Sequence, residues 1–140
     1  MPPDLPAAAS AARRPSLAGT LTTTALVVLM TVSGALYLAS PPGLLGALQP
    51  LGYPAYFLRL LGVAKLLGVT ALLLPGRTLL KEWAYAGFTF DLVAAIASHV
   101  LTGTASQAPP AAVVLALVLT SYRLGHRAGP RIELASGVAP

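Results

Sequence analysis

Cysteine is missing from all 140 residues, which excludes disulfide staples, thiol relays, iron–sulfur clusters and thiolate metal sites. Charge is nearly missing as well: Asp, Glu, Lys and Arg make up 9% of the chain, where soluble domains carry about a quarter. Histidine is almost as scarce, with only His99 and His126 present. They stand at opposite ends of the hydrophobic segments described below, which argues against a haem with two histidine ligands, and a buried zinc or copper ion has too few ligands. No glycine-rich phosphate loop follows a strand, and no Ser, His and acid trio falls at one level of those segments.

What remains is hydrophobic: 56% of the residues are apolar and the mean hydropathy is +0.76. A chain this apolar is expected to fold in a bilayer as one domain, residues 19–126, with flexible cytoplasmic tails at 1–18 and 127–140. The first run, about 20–39, "TLTTTALVVLMTVSGALYLA", is long enough to cross a hydrocarbon core of roughly 30 Å. Pro41, Pro42 and Gly43 then stop it. A second span at about 53–74 has Pro54 in its first turn and is closed by Pro75 and Gly76. A third runs over about 82–101. A fourth, at about 109–124, is short, and its Arg123 can snorkel to the surface. The expected fold is all-α, a transmembrane four-helix antiparallel bundle.

The cations sort themselves along this pattern. Arg13 and Arg14 precede span one, Arg77 and Lys81 lie between spans two and three, and Arg123, Arg127 and Arg131 follow span four, while the other two loops hold no Lys or Arg. The positive-inside rule then places both termini and the middle loop in the cytoplasm, in a bacterial cytoplasmic (inner) membrane. The net charge of +5 and the pI near 10.1 therefore orient the protein against the lipid bilayer; no nucleic acid partner is expected. Arg13 and Arg14 ahead of an apolar run also suit a cleaved export signal, but the run exceeds the roughly 7–15 residue core of such signals, which favours a retained helix.

The few ionisable groups inside the spans carry the functional expectation. Counting the rise per residue puts Lys65 about 13 Å below one surface and Asp91 about 12 Å above the other, both close to the midplane on neighbouring helices. His99 is about 80° around the helix from Asp91 and about one turn from the outer surface, as is Arg59. Lys65, Asp91 and His99 read either as a polar pocket for a ligand's carbonyl or hydroxyl groups or for protons, or as an ion pair that fixes helix register. The candidate ligand-binding set is Lys65, Asp91, His99, Arg59 and Tyr85, with Glu82 and Trp83 as interface anchors and no metal. No residue is assigned a catalytic role. Glu82 suits the positive start of span three, Trp83, Tyr85 and Phe88 suit an aromatic belt, and Thr24, Thr31 and Gly34 suit helix packing. Tyr37 and Tyr56, near the outer surface, read either as lining a site entrance or, by default, as residues of the opposite belt.

From Leu51 to His99 the chain resembles the DoxX-like family of small four-helix bacterial membrane proteins. The resemblance rests on Gly52-Tyr53-Pro54, "GVAK" from Gly62 to Lys65, Gly68, Pro75-Gly76, "KEWAYAGF" from Lys81 to Phe88, Asp91 and Ser98-His99; spans one and four match in position and hydrophobicity. It implies the four-helix membrane fold and a tie to quinone-linked redox chemistry, the family being named for similarity to a small membrane subunit of thiosulfate:quinone oxidoreductase. Its characteristic positions fall on Lys65, Glu82, Trp83, Tyr85, Asp91 and His99. Two functions are expected on these grounds: binding of a quinone or similar lipid-soluble molecule between spans two and three, or a non-catalytic accessory subunit whose Lys–Asp pair is structural. A quinone is the one cofactor class implied. A membrane or membrane-associated redox enzyme and a second copy of the chain are the protein partners left open.

Overall fold

The computed structural model describes residues 16–126. The expected tails other than residues 16–18, the cations Arg13, Arg14, Arg127 and Arg131, and the side chain of His126 lie outside the described residues. Among those described, every regular element is helical: α1 Leu17–Ala39, α2 Pro42–Leu48, α3 Ala55–Leu73, α4 Thr78–Leu101 and α5 Pro109–His126, with short 3-10 turns at Gln49–Leu51 and Ala105–Gln107. Helices α1, α3 and α4 are long and apolar enough to cross a membrane, whereas α5 is shorter.

Local chemistry moves two of the expected boundaries. Helix α1 begins at Leu17 because the Ser16 side chain caps it, accepting a hydrogen bond of 3.1 Å from the Gly19 amide. It ends at Ser40, whose φ of 43° breaks the helix while its amide still reaches the Leu36 carbonyl. Helix α4 begins at Thr78, about one turn before the expected start, because Gly76 at φ 70° turns the chain immediately after Pro75. Glu82 therefore stands in the second turn of α4, outside the helix start that was expected to favour its charge. Helix α2 was not anticipated; Pro42 occupies its first position, where a missing amide hydrogen costs nothing.

The long helices pack in a ring, α1 on α3 and α5, and α4 on α3 and α5. One half of the ring is solid. Leu26 and Met30 of α1, Val69 and Leu72 of α3, Ala84, Phe88 and Leu92 of α4 and Val118 of α5 form one buried cluster. Burial of Phe88 corrects the expectation that it belongs to an aromatic belt. Its ring lies against Gly68, where any Cβ would come within 2.6 Å of it. Gly34 and Gly62 bring α1 and α3 together in the same way, since a Cβ at Gly62 would meet the Gly34 carbonyl oxygen at 2.8 Å. Such approach is what associates helices in lipid, where apolar burial alone gives no driving force.

The outer surface is greasy. Leu21, Val28 and Val32 of α1, Leu60 and Leu67 of α3, Phe90 of α4 and Val113 of α5 are all exposed, an apolar area that needs hydrocarbon rather than water around it. Thr24 and Thr31, expected at the packing face, are exposed as well. Thr31 satisfies its hydroxyl internally, on the Val27 carbonyl at 2.7 Å.

The Gly62 contact sets a measurable expectation. Gly62→Ala should lower unfolding stability in detergent by about 1–3 kcal/mol, because the neighbour it strikes is backbone and cannot swing aside. Gly87→Ala, where nothing lies within 4 Å of the new Cβ, should be neutral or stabilising by up to about 1 kcal/mol. Equal losses at both positions would refute the close-approach explanation.

Candidate functional site

The other half of the ring is hollow. A cavity of about 360 Å³ is lined by residues of all four long helices and of the α2 connection, within the size range of small-molecule sites. Its walls are Leu29, Met30 and Ser33 of α1, Phe57, Leu58 and Leu61 of α3, Ala94 and Ala95 of α4, and Pro110, Ala111 and Val114 of α5. Leu48 and Leu51 close it from the α2 side, so the unanticipated helix α2 contributes a wall. Polar groups reach it at two levels: Lys65 and Asp91 at one, Tyr53, His99 and Gln107 at the other. Met30 and Leu92 belong to both the cavity wall and the solid core, so Lys65 and Asp91 stand where packing gives way to space.

Lys65 is buried, with 5% of its surface exposed, and its Nζ donates to Oδ2 of Asp91 across the α3–α4 interface. The same Nζ lies 5.2 Å from the centre of the Tyr37 ring, within the range at which an ammonium is attracted to an aromatic face. Three helices thus converge on one cation: α3 carries it, α4 neutralises it and α1 covers it. A charged side chain at mid-membrane costs about 2.5–3.5 kcal/mol on insertion scales, and this arrangement offsets that cost. The ammonium has three donors and the carboxylate two oxygens, so pairing does not exhaust either group.

The other polar level is separately organised. Tyr53 and Ser98 join α4 to the segment before α3 through their hydroxyls, and the Tyr53 ring stacks on Phe57 with centroids 5.0 Å apart. His99 pairs its Nδ1 with the Thr104 hydroxyl at 2.9 Å, which holds the ring at the end of α4. His99 is about 12 Å along the helix from Asp91, given eight residues of rise. The cavity is therefore a largely apolar space with a charged pair at one end and further hydrogen-bonding groups at the other.

The structure brings Lys65, Asp91 and His99 to this one space and leaves two of the expected residues outside it. Arg59 is exposed on the outer face of α3 and is not among the lining residues. Tyr85 belongs to a second polar cluster, at the opposite end of the ring. There the fully buried Ser121 of α5 shares hydrogen bonds with Thr23 of α1 at 2.8 Å and Tyr85 of α4 at 2.9 Å. Tyr122 packs edge-on to Tyr85 with centroids 5.3 Å apart and donates to Glu82 at 2.9 Å. Glu82 and Tyr85 thus tie α4 to α5, while Trp83 is 70% exposed. Tyr56 is exposed too, but Tyr37 turns inward onto the cavity wall, which departs from the belt reading and agrees with the alternative of a residue lining a site. Met30, Ser33 and Tyr37 recur at helical spacing, and that periodicity was the available signal for an inward face on α1.

A family model described as the DoxX-like family matches residues 21–121. No curated protein matches, and no solved structure matches.

Breaking the ion pair should cost more than removing it. Lys65→Met or Asp91→Leu alone leaves one charge without its partner and should destabilise the protein by about 3–5 kcal/mol. The combined variant Lys65→Met/Asp91→Leu should regain most of that loss. Denaturation of the four proteins in one detergent forms the thermodynamic cycle, and additive losses in the double variant would show that the pair is not coupled.

Proposed function

The chain belongs to the DoxX-like family, and on that footing we propose that it is a multi-pass integral membrane protein that binds a quinone or similar lipid-soluble molecule in the cavity beside Lys65 and Asp91. The observation that carries this reading is the cavity itself. It is largely apolar, matching a molecule that partitions into lipid, and its polar groups suit carbonyl or hydroxyl oxygens. Lys65 can donate a further hydrogen bond to a ligand oxygen without releasing Asp91, so ligand and carboxylate need not compete. With a partner redox enzyme, such binding would serve membrane redox chemistry.

The reading includes four spans in a bacterial cytoplasmic membrane, alternating in direction, with both termini and the 74–77 connection on the cytoplasmic side. Neighbouring helices meet through pairs that fit alternation: Lys65 with Asp91 and Gly68 with Phe88 between α3 and α4, Thr23 with Ser121 and Gly19 with Leu124 between α1 and α5. In each set the number rises on one helix as it falls on the other. The basic residues Arg77 and Lys81 support the cytoplasmic assignment. Because the chain has no Cys, introduced thiols report topology directly. A membrane-impermeant maleimide should label Ala105→Cys in intact cells and Pro75→Cys only after lysis; the reverse pattern would invert the orientation.

A second reading, an accessory subunit with a purely structural pair, is favoured by one observation: Lys65 and Asp91 already neutralise each other. The two readings part on ligand content. Protein purified from native membranes should carry a stoichiometric quinone or isoprenoid compound in its extracted lipid, and Ala95→Trp, which fills the cavity, should lose it while remaining folded. Absence of such a compound, together with quinone affinity unaltered by Ala95→Trp, refutes the binding reading. If the doubly neutralised variant also keeps the protein's role in the cell, the accessory reading stands.

A further inference from the structure

A second hollow lies against the first, on the outside of the ring. It is a groove of about 680 Å³ between α3 and α4, bordered by Leu67, Ala71 and Leu74 on one side and Trp83, Gly87 and Phe90 on the other. Leu61, Lys65, Asp91 and Ala94 line the groove and the inner cavity alike, so one ring of four side chains separates the two spaces. The groove is apolar along its course apart from Thr70, and its charged groups are confined to that shared border. Toward the solid half, the α3–α4 seam is closed where Phe88 sits on Gly68. From Asp91 to Trp83 the groove runs about 12 Å along α4, given eight residues of rise.

We infer that the cavity and groove form one bipartite site: the inner cavity takes the polar ring of a lipid-soluble ligand, and its hydrocarbon tail passes between Leu61 and Ala94 to lie in the α3–α4 groove, ending near Trp83. This deepens the binding reading above and rests on it. Adjacency of the two spaces across these four shared residues is the ground for assigning the tail to this face. The assignment selects a ligand class: amphiphiles with a compact oxygen-bearing ring and a long alkyl or isoprenoid chain. A small diffusible phenol or quinone would leave the groove unused.

Trp83 is the sole tryptophan of the chain and lines the groove, which makes it a built-in reporter. The full chain in phosphatidylcholine nanodiscs would be titrated with two benzoquinones bearing long alkyl chains, one brominated at the chain end. Ring binding is scored separately, by the quinone absorbance that washed nanodiscs retain. Bromine should add saturable quenching of Trp83, and excess tailless benzoquinone should abolish it. Gly87→Leu, which fills the groove away from the inner cavity, should lose the bromine effect while binding the tailless ring as before. Bromine quenching that survives saturation by the tailless ring would mean that the groove accepts any acyl chain, and the bipartite site would be overturned. Equal quenching by the two bound probes would place the tail elsewhere, with the same result but with the cavity reading intact. No retained ring at all would overturn both.

Discussion

One ion pair sets the terms for the rest of the molecule. Lys65 and Asp91 belong to hydrophobic helices, and neither charge is tolerable in hydrocarbon without the other. Their pairing fixes the height of α3 relative to α4, since a shift by one turn would move the groups about 5.4 Å apart along the axis. It fixes rotation too: Lys65 is reached by Asp91 from one neighbour and by the Tyr37 ring from another. The glycine contacts then follow in register, Gly62 toward α1 and Gly68 toward Phe88 of α4.

The pair also marks a change in material. On one side the helices interdigitate through Leu26, Val69, Leu72, Phe88 and Val118; on the other they enclose space. This division explains why the same two residues border an interior cavity and an exterior groove. At the far end of the solid half, Ser121 with Thr23 and Tyr85, and Glu82 with Tyr122, tie three helices by side-chain hydrogen bonds. Both polar clusters brace the helices, and the one that includes Lys65 adjoins a cavity large enough for a ligand.

How much of this was legible depends on the range of the forces involved. Hydropathy and length located the long helices to within a few residues, because each segment's solvation is a property of the segment itself. The proximity of Lys65 and Asp91 was legible too, because the rise per residue converts position into depth. Faces were harder. Tyr85 and His99 both stand on α4, yet one meets Ser121 and the other the cavity, and only the placement of α5 decides which. Tyr37 looked like a surface aromatic until α3 brought a buried cation beneath it. Phe88 fell within an aromatic run that suits an interface, but the missing side chain at Gly68 leaves room for its ring in the core. Thr31 was misjudged because its hydroxyl bonds to its own helix and needs no neighbour.

The solid half has a consequence of a different kind. Polar groups such as Tyr53, His99, Lys65 and Asp91 standing in sequence through one half of a small bundle could wet a path for protons. Beyond Lys65 that path meets Met30, Leu92, Phe88 and Val118, which are packed together and offer no donor or acceptor to a water chain. The cavity is therefore a blind vessel with a dry plug. Such a plug interrupts any chain of water between the two ends of the bundle, so space on one side of the Lys65–Asp91 pair does not amount to a channel.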